Sequence, residues 1–382
     1  MLFLVLKEVI TIKKILFGIT SLTLGGAERV LVDISNKLSE KYDITIFSIY
    51  DNGELKNDLN KNVKFKALYN CRYDELTKLQ KMWIPIKILL FSKIIYNKKI
   101  KQNYDTEIAF LEGPITRLFS TKNKDVHKIA WIHNDIEKVF GNDLKSKIKK
   151  YIDKNIYKKY NDLVFVSQDN MEKFQNIYND LNTENMHVIY NYIDKDLVIK
   201  KSNYSIKVEF DYNSINFLTV CRLVKQKAID RLIRVHSKLI KQGLKHKVYI
   251  IGDGPEKENL QKLIKQENVE DTFVLLGKKE NPYPYIKNAN YFCLLSEFEG
   301  YGMVLEEAKI LNKPIIITNT AARECIENYP KALILENSED EIYDGLYKLL
   351  NDNDDKIFNN TQTSTEYDNT EKLQKIIELV GD

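Results

Sequence analysis

The sequence predicts an α/β protein of two doubly wound, Rossmann-like domains facing each other across a cleft. Three observations predict it. Short apolar runs of strand length alternate with longer segments of helical period along most of the chain. Glycine-bearing loops fall between a strand end and a helix start at Gly25-Gly26, Gly252-Asp253-Gly254 and Gly300-Tyr301-Gly302, where folds of this class bind ligands. With 382 residues, 43% of them hydrophobic, the chain has the length and the apolar material for two cores.

The bulk numbers exclude several classes. A net charge of +4 from 58 basic and 54 acidic residues is too balanced for a nucleic-acid binder. Cys71, Cys221, Cys293 and Cys325 are far apart and form no C-x-x-C pair, which reads as reduced thiols rather than a disulfide framework or a zinc site. The apolar start Met1 to Leu6 is broken by Lys7 and Glu8 and lacks a basic start or a cleavage site. Residues 1 to 12 read as a loose extension. No run reaches the roughly 18 apolar residues that span a bilayer, so a cytoplasmic protein is expected.

In the first half, Ile15 to Ile19 reads as a buried strand, and Ala27 to Leu38 as a helix with Val30, Leu31, Ile34 and Leu38 on one face. Strands are expected at 43–49, 63–68, 107–111, 128–132, 163–166 and 187–190. Polar residues stand just past several ends: His133, Ser167, Asn191. Two basic stretches, Lys78 to Lys101 and Lys145 to Lys159, mix lysines with apolar and aromatic residues. They are candidate surfaces for an anionic membrane, the alternative being packed helices with a solvated face. Residues 195 to 214 are polar without a period and read as the interdomain linker, giving domains of 1–200 and 201–365 and a terminal helix in 366–382.

In the second half, strands are expected at 216–220, 248–251, 273–276, 291–295 and 314–317. Helices are expected from Ile229 to about Lys241, after Pro255, and from Met303 to Leu311. Gly252-Asp253-Gly254 lacks the third glycine and the acidic ribose ligand of a dinucleotide site.

Ser296 to Ala308 organises the rest: the apolar run Tyr291 to Leu295 leads into it, Glu299-Gly300-Tyr301-Gly302-Met303-Val304 follows, and Glu307 comes about one turn into a helix. Glycine lets a backbone approach a ligand, and a helix N-terminus offers free N–H groups to phosphate or sugar oxygens. The stretch resembles the E-x7-E signature of retaining glycosyltransferases of family four, with the GT-B fold; Glu306 stands where an apolar residue is usual. Cys221-Arg222-Leu223 through Lys227-Ala228 resembles the same family's Gly-Arg-Leu-x-x-x-Lys-Gly segment, with Cys221 and Ala228 replacing its glycines. Gly25-Gly26-Ala27-Glu28-Arg29 resembles its N-terminal glycine loop.

The resemblance implies a retaining hexosyl transfer from a nucleotide-diphosphate sugar, such as a UDP-sugar, to a glycan or polyprenyl-linked acceptor. The setting it suggests is bacterial surface polysaccharide or capsule synthesis, at the inner face of the cell membrane. Arg222 and Lys227 would neutralise the diphosphate, Glu299 would orient the sugar hydroxyls, Glu307 the ribose, and His133 would line the sugar. Gly25, Gly26, Gly300, Tyr301, Gly302, Met303, Val304 and Lys278 complete the expected donor site. No cofactor or metal is expected. Asp352-Asn353-Asp354 fits the metal-holding D-x-D of the other large glycosyltransferase fold, but in a polar tail it reads as a solvated loop. Two alternatives stay open: a nucleotide-sugar epimerase on the same fold, and a non-catalytic nucleotide-sugar-binding subunit of a glycosyltransferase complex.

Overall fold

The computed structural model describes residues 12–100, 103–121, 125–133, 144–205, 210–351, 358 and 367–381. They form two compact units: Met1–Tyr192 with Thr370–Asp382, and Ile193–Asn369. The expected extension at 1–12 and the motif Asp352-Asn353-Asp354 lie almost wholly outside the described residues.

The first unit is a seven-stranded parallel sheet in the order β3-β2-β1-β4-β5-β6-β7. Its strands are β1 Lys14–Ile19, β2 Asp43–Tyr50, β3 Lys64–Tyr69, β4 Thr106–Ala109, β5 His127–Ile132, β6 Asp162–Phe165 and β7 Met186–Val188. β1 and β2 are buried almost end to end, as strands covered on both faces must be. The helices are α1 Gly26–Leu38, α2 Lys78–Lys99, α3 Pro114–Phe119, α4 Leu144–Tyr157 and α5 Gln168–Ile177. The last helix of the chain, Thr370–Gly381, also belongs here, and Thr106 Oγ1 donates to the Val380 carbonyl at 3.3 Å.

The second unit is a six-stranded parallel sheet, order β10-β9-β8-β11-β12-β13. The strands are β8 Ile215–Val220, β9 His246–Ile251, β10 Phe273–Gly277, β11 Tyr291–Leu294, β12 Ile315–Thr318 and β13 Ala332–Leu335. Its helices are α6 Lys195–Ser202, α7 Ile229–Lys241, α8 Lys257–Glu267, α9 Tyr283–Asn288, α10 Met303–Ile310 and α11 Glu339–Asn351, so the terminal helix is α12. Both strand orders reverse direction once, between β1 and β4 and between β8 and β11, and a doubly wound sheet opens a crevice at that point.

The stretch read as linker holds a helix. Asp194 caps α6 by accepting from the Leu197 amide at 2.9 Å, and only Val198 and Ser202 are buried. A face that narrow shows no period in the sequence. α6 packs on α9 and α10, and Asn281 Nδ2 donates to the Lys201 carbonyl at 2.9 Å.

Two histidines lock the second core. His246 Nδ1 lies 3.0 Å from the Leu244 carbonyl and so must donate. Its Nε2 then accepts from His236 Nδ1 at 2.8 Å, and His236 Nε2 accepts from Thr272 Oγ1 at 2.8 Å. Both rings are neutral. Burial lowers His236 to about 3, with His246 adding to it, and lowers His246 to about 4. Folded values below the ordinary 6.5 mean that the unfolded chain binds more protons. Their stability contribution is therefore complete above pH 6.5 and is lost as pH falls toward 4. The unfolding free energy should hold near neutrality and drop through this window by about 1.4 kcal/mol per pH unit for each histidine, with the urea midpoint falling in step. Urea titrations at stepped pH on the protein and on His236→Asn/His246→Gln check it; an equal acid slope in both would refute the assignment.

Candidate active site

The second unit builds its site at the β8/β11 switch point. The chain leaves β8 through Cys221, Arg222 and Leu223, which lie against Gly252 and Gly254. A Cβ on Gly252 would stand 1.8 Å from the Cys221 carbonyl oxygen, and one on Gly254 would stand 2.4 Å from that of Leu223. The Leu223 amide donates to the Asp253 carbonyl and the Glu256 amide to the Leu223 carbonyl, each at 3.0 Å. The Gly-x-Gly turn thus serves as a flat backing that fixes the arginine loop. Burial pushes the Cys221 thiol up to about 12, so it stays a protonated packing group.

A single 3-10 turn, Lys225–Lys227, then leads to Ala228, whose φ of 47° and ψ of 37° are left-handed. The resembled family's glycine at this place has a backbone reason. Ala228 keeps the same conformation at a steric cost of about 1–2 kcal/mol.

The turn is fastened to the loop leaving β11. The Glu297 amide donates to the Gln226 carbonyl at 2.9 Å, and Gln226 Nε2 donates to the Phe298 carbonyl at 2.9 Å. Lys227 Nζ pairs with Glu299 Oε1, which also accepts from Ser296 Oγ at 2.6 Å. Thr318 Oγ1 holds the Ser296 carbonyl at 2.6 Å, and Arg231 Nη2 holds that of Leu295 at 2.9 Å. Glu299 is 9% exposed. Arg222 is exposed and makes no ion pair among the described residues.

Past Glu299, Gly300, Tyr301 and Gly302 turn into α10. Gly302 is left-handed at φ 70°, a backbone that side chains resist, and it precedes the free amides of Met303 and Val304. Glu307 is half-buried and accepts from the Tyr283 hydroxyl at 3.1 Å. Lys278 is exposed just after β10. Lys227 and Glu299 are therefore brought into contact on the exits of neighbouring strands, while Glu307 meets a different partner.

In the first unit, Gly25 and Gly26 open α1. A Cβ on Gly25 would lie 2.2 Å from Glu28 Oε2, so the Glu28 carboxylate folds back over the helix start. Burial raises its pKa, against a lowering by its own amide. Arg29 is committed to Asp33, at 2.9 Å, and Asp58, and latches α1 to the segment Glu54–Asp58.

His133 follows β5 with its ring 4.7 Å from Phe110 and 6.3 Å from Trp131, centroid to centroid. Its amide donates to Glu112 Oε1 at 2.6 Å. Nε2 is buried without a hydrogen-bond partner among the described residues, and burial lowers the ring to about 3. It is a neutral imidazole, unsuited to act as a base near pH 7 and suited to bond a ligand hydroxyl.

Three features escaped the sequence reading. Ser296, Gln226 and Tyr283 orient Glu299 and Glu307, although Ser296 at a strand exit three residues before Glu299 was a signal. Glu112 stands at the end of β4, beside the first switch point. Glu306, treated as a small departure, is 1% exposed and tied to Tyr301 and Lys309. Among the described residues there is no cluster of three or more His, Cys, Asp or Glu placed to hold a metal.

Comparison with known proteins agrees with this architecture. Residues 200–364 match the family model described as glycosyl transferases group 1. A Campylobacter jejuni N-acetylgalactosamine-N,N'-diacetylbacillosaminyl-diphospho-undecaprenol 4-alpha-N-acetylgalactosaminyltransferase is 28% identical over 342 residues, covering 87% of this chain and 89% of its own. The Escherichia coli O-antigen biosynthesis glycosyltransferase WclY is 24% identical over 318 residues, 80% of each chain. Anabaena HepE, solved with UDP and glucose, superposes with a TM-score of 0.72 at 16% identity, over 97% of this chain and 99% of that one. The chain is a glycosyltransferase of the GT-B fold whose residues 200–364 match the glycosyl transferases group 1.

Proposed function

We propose that the protein moves a hexosyl group, with retained configuration, from a nucleoside-diphosphate sugar to a lipid-linked glycan during bacterial surface polysaccharide synthesis. The observation that carries the reading is the Lys227–Glu299 pair, set on the exits of β8 and β11 at the switch point. There a cation and a carboxylate meet one bound donor, the first on its diphosphate and the second on sugar hydroxyls. Arg222 adds a guanidinium fork, and the amides of the 300–304 segment add dipoles, against charge growing on the leaving diphosphate. Glu307, held by Tyr283, takes the ribose, and Lys278 is offered to the base. On the first unit the neutral His133 offers a bond to a sugar hydroxyl, and the Gly25-Gly26 turn offers backbone amides to an anion. The named relatives support a UDP-sugar donor and an undecaprenyl-type acceptor. Labelled UDP- and GDP-sugars incubated with bacterial lipid extract test the reading: one donor should label the lipid fraction. Free nucleotide released equally without acceptor would favour the epimerase, and no turnover at all would favour the binding subunit.

We also propose that α2 is where the protein meets the anionic membrane carrying that acceptor. A capping box of Thr77 and Gln80 starts α2, which buries only Ile84, Ile88 and Tyr96. Leu79, Met82, Trp83, Ile86, Leu90 and Ile94 recur at helical spacing and stay exposed, Leu79 by 66% and Leu90 by 67%. Lys78, Lys87, Lys93, Lys98 and Lys99 are exposed beside them. α4 adds Ile148 and Tyr151, both exposed, among lysines. No helix of the described residues is long and apolar enough to cross a membrane, so contact would lie in the headgroup plane. The chain has two tryptophans, and Trp131 is buried, so Trp83 reports the contact. Vesicles of phosphatidylglycerol should shift its emission to the blue and sediment the protein. Trp83→Ser/Leu90→Ser should lower partitioning at least tenfold; equal binding to neutral vesicles would remove the role of the lysines.

A further inference from the structure

The first turn of α10 carries a charge that works against its use as an anion site. Glu306 is the fourth residue of the helix and is 1% exposed. Helical side chains lean toward the N-terminus, and the Tyr301 hydroxyl, from the loop before the helix, donates to Glu306 Oε1. Burial pushes the Tyr301 phenol far up, so it remains a donor. A helix start offers about half a positive charge. A full negative charge lodged under it would cancel that attraction for a diphosphate.

Lys309 removes the conflict. Its Nζ is 3.3 Å from Glu306 Oε2, donates to the Cys325 carbonyl at 2.6 Å and sits 5.5 Å from the Tyr367 ring centroid. The ammonium is pinned by groups outside α10 and is 19% exposed, so solvent screens the pair little.

We infer that Lys309 sets the protein's affinity for the nucleoside diphosphate by neutralising Glu306 beneath the helix start, and that neither residue touches the donor. This rests on the nucleotide-sugar reading. A unit charge about 10 Å from a diphosphate changes affinity about tenfold at an effective dielectric of about 20. The two partners then have opposite signs, which a merely structural pair does not.

UDP and GDP binding, measured by calorimetry on the full chain, tests this. Lys309→Gln should raise Kd for the nucleotide that binds about tenfold, and donor KM with it, leaving kcat within about twofold. Glu306→Gln should lower Kd, and Glu306→Gln/Lys309→Gln should return within about twofold of the unaltered protein. The loss in Lys309→Gln should shrink at high salt. Should Lys309→Gln fail to fold, Glu306→Gln alone decides the sign. If Glu306→Gln and Lys309→Gln weaken binding alike, the inference falls and the nucleotide-sugar reading stands. If the unaltered protein binds neither UDP nor GDP, both fall together.

Discussion

Arg222→Ala should lower kcat/KM for the donor by about 100- to 1000-fold while leaving the unfolding transition in place. The magnitude is what one preorganised group facing transition-state charge is worth. The unchanged stability follows because Arg222 is exposed and makes no ion pair among the described residues. Lys227→Met should cost at least as much activity, but for two reasons. It removes a cation from the diphosphate, and it leaves Glu299, 9% exposed, supported by the Ser296 hydroxyl and little else. A buried carboxylate that loses its counter-charge destabilises the fold, so Lys227→Met should also unfold earlier in urea. Lys227→Met/Glu299→Gln should regain stability without regaining turnover. Steady-state kinetics with urea titrations on the four proteins separate the roles. Activity surviving in Arg222→Ala would place the chemistry elsewhere.

The meeting of Lys227 with Glu299 also shows what a sequence hides. The strands β8 and β11 were legible as apolar runs, and α7 was legible because Ile229, Leu232, Ile233, His236 and Leu239 share one buried face. Their exits were legible as polar residues after strand ends. That these two exits adjoin depends on sheet order, in which β8 neighbours β11 and skips two strands. Local propensity carries no such information; the resemblance supplied it for the acid and base, residue by residue. It could not supply Glu306, because a glutamate in a first turn looks the same whether it faces water or lies beneath Tyr301. Asn312 makes the converse point. Left-handed at φ 53°, it closes α10 with the Lys313 amide bonded to the Ala308 carbonyl at 3.0 Å, and asparagine is the residue besides glycine that commonly takes this place past a helix end.

Lys128→Met should destabilise the first unit by about 3–5 kcal/mol, the cost of leaving one partner of a buried pair alone. Lys128 and Glu107 lie side by side on β5 and β4, 3% and 1% exposed, with Nζ 2.8 Å from Oε2. Nζ also donates to the Phe119 carbonyl at 2.8 Å and stands 4.9 Å from the Tyr96 ring centroid. The Tyr96 hydroxyl donates to Glu107 Oε1. Burial lowers the Lys128 pKa, with Glu107 opposing that; without the lysine, Glu107 keeps its desolvation and loses its cation. The consequence reaches α2, because Phe91 breaks the helical backbone and Tyr96 is the one buried residue of the helix beyond it. Its rear half is therefore anchored through this network together with the partly buried Ile95. Replacing the whole set, Lys128→Met/Glu107→Leu/Tyr96→Phe, removes the stranded carboxylate and hydroxyl and leaves only the Phe119 carbonyl without its donor, so stability should return to within about 2 kcal/mol of the unaltered protein. Urea denaturation across the single and triple variants measures the coupling. The triple variant should also keep the vesicle binding that Lys128→Met weakens, since only the single change loosens the helix carrying Trp83. A loss below about 1 kcal/mol in Lys128→Met would mean that water reaches the pair and that α2 is held by its apolar contacts alone.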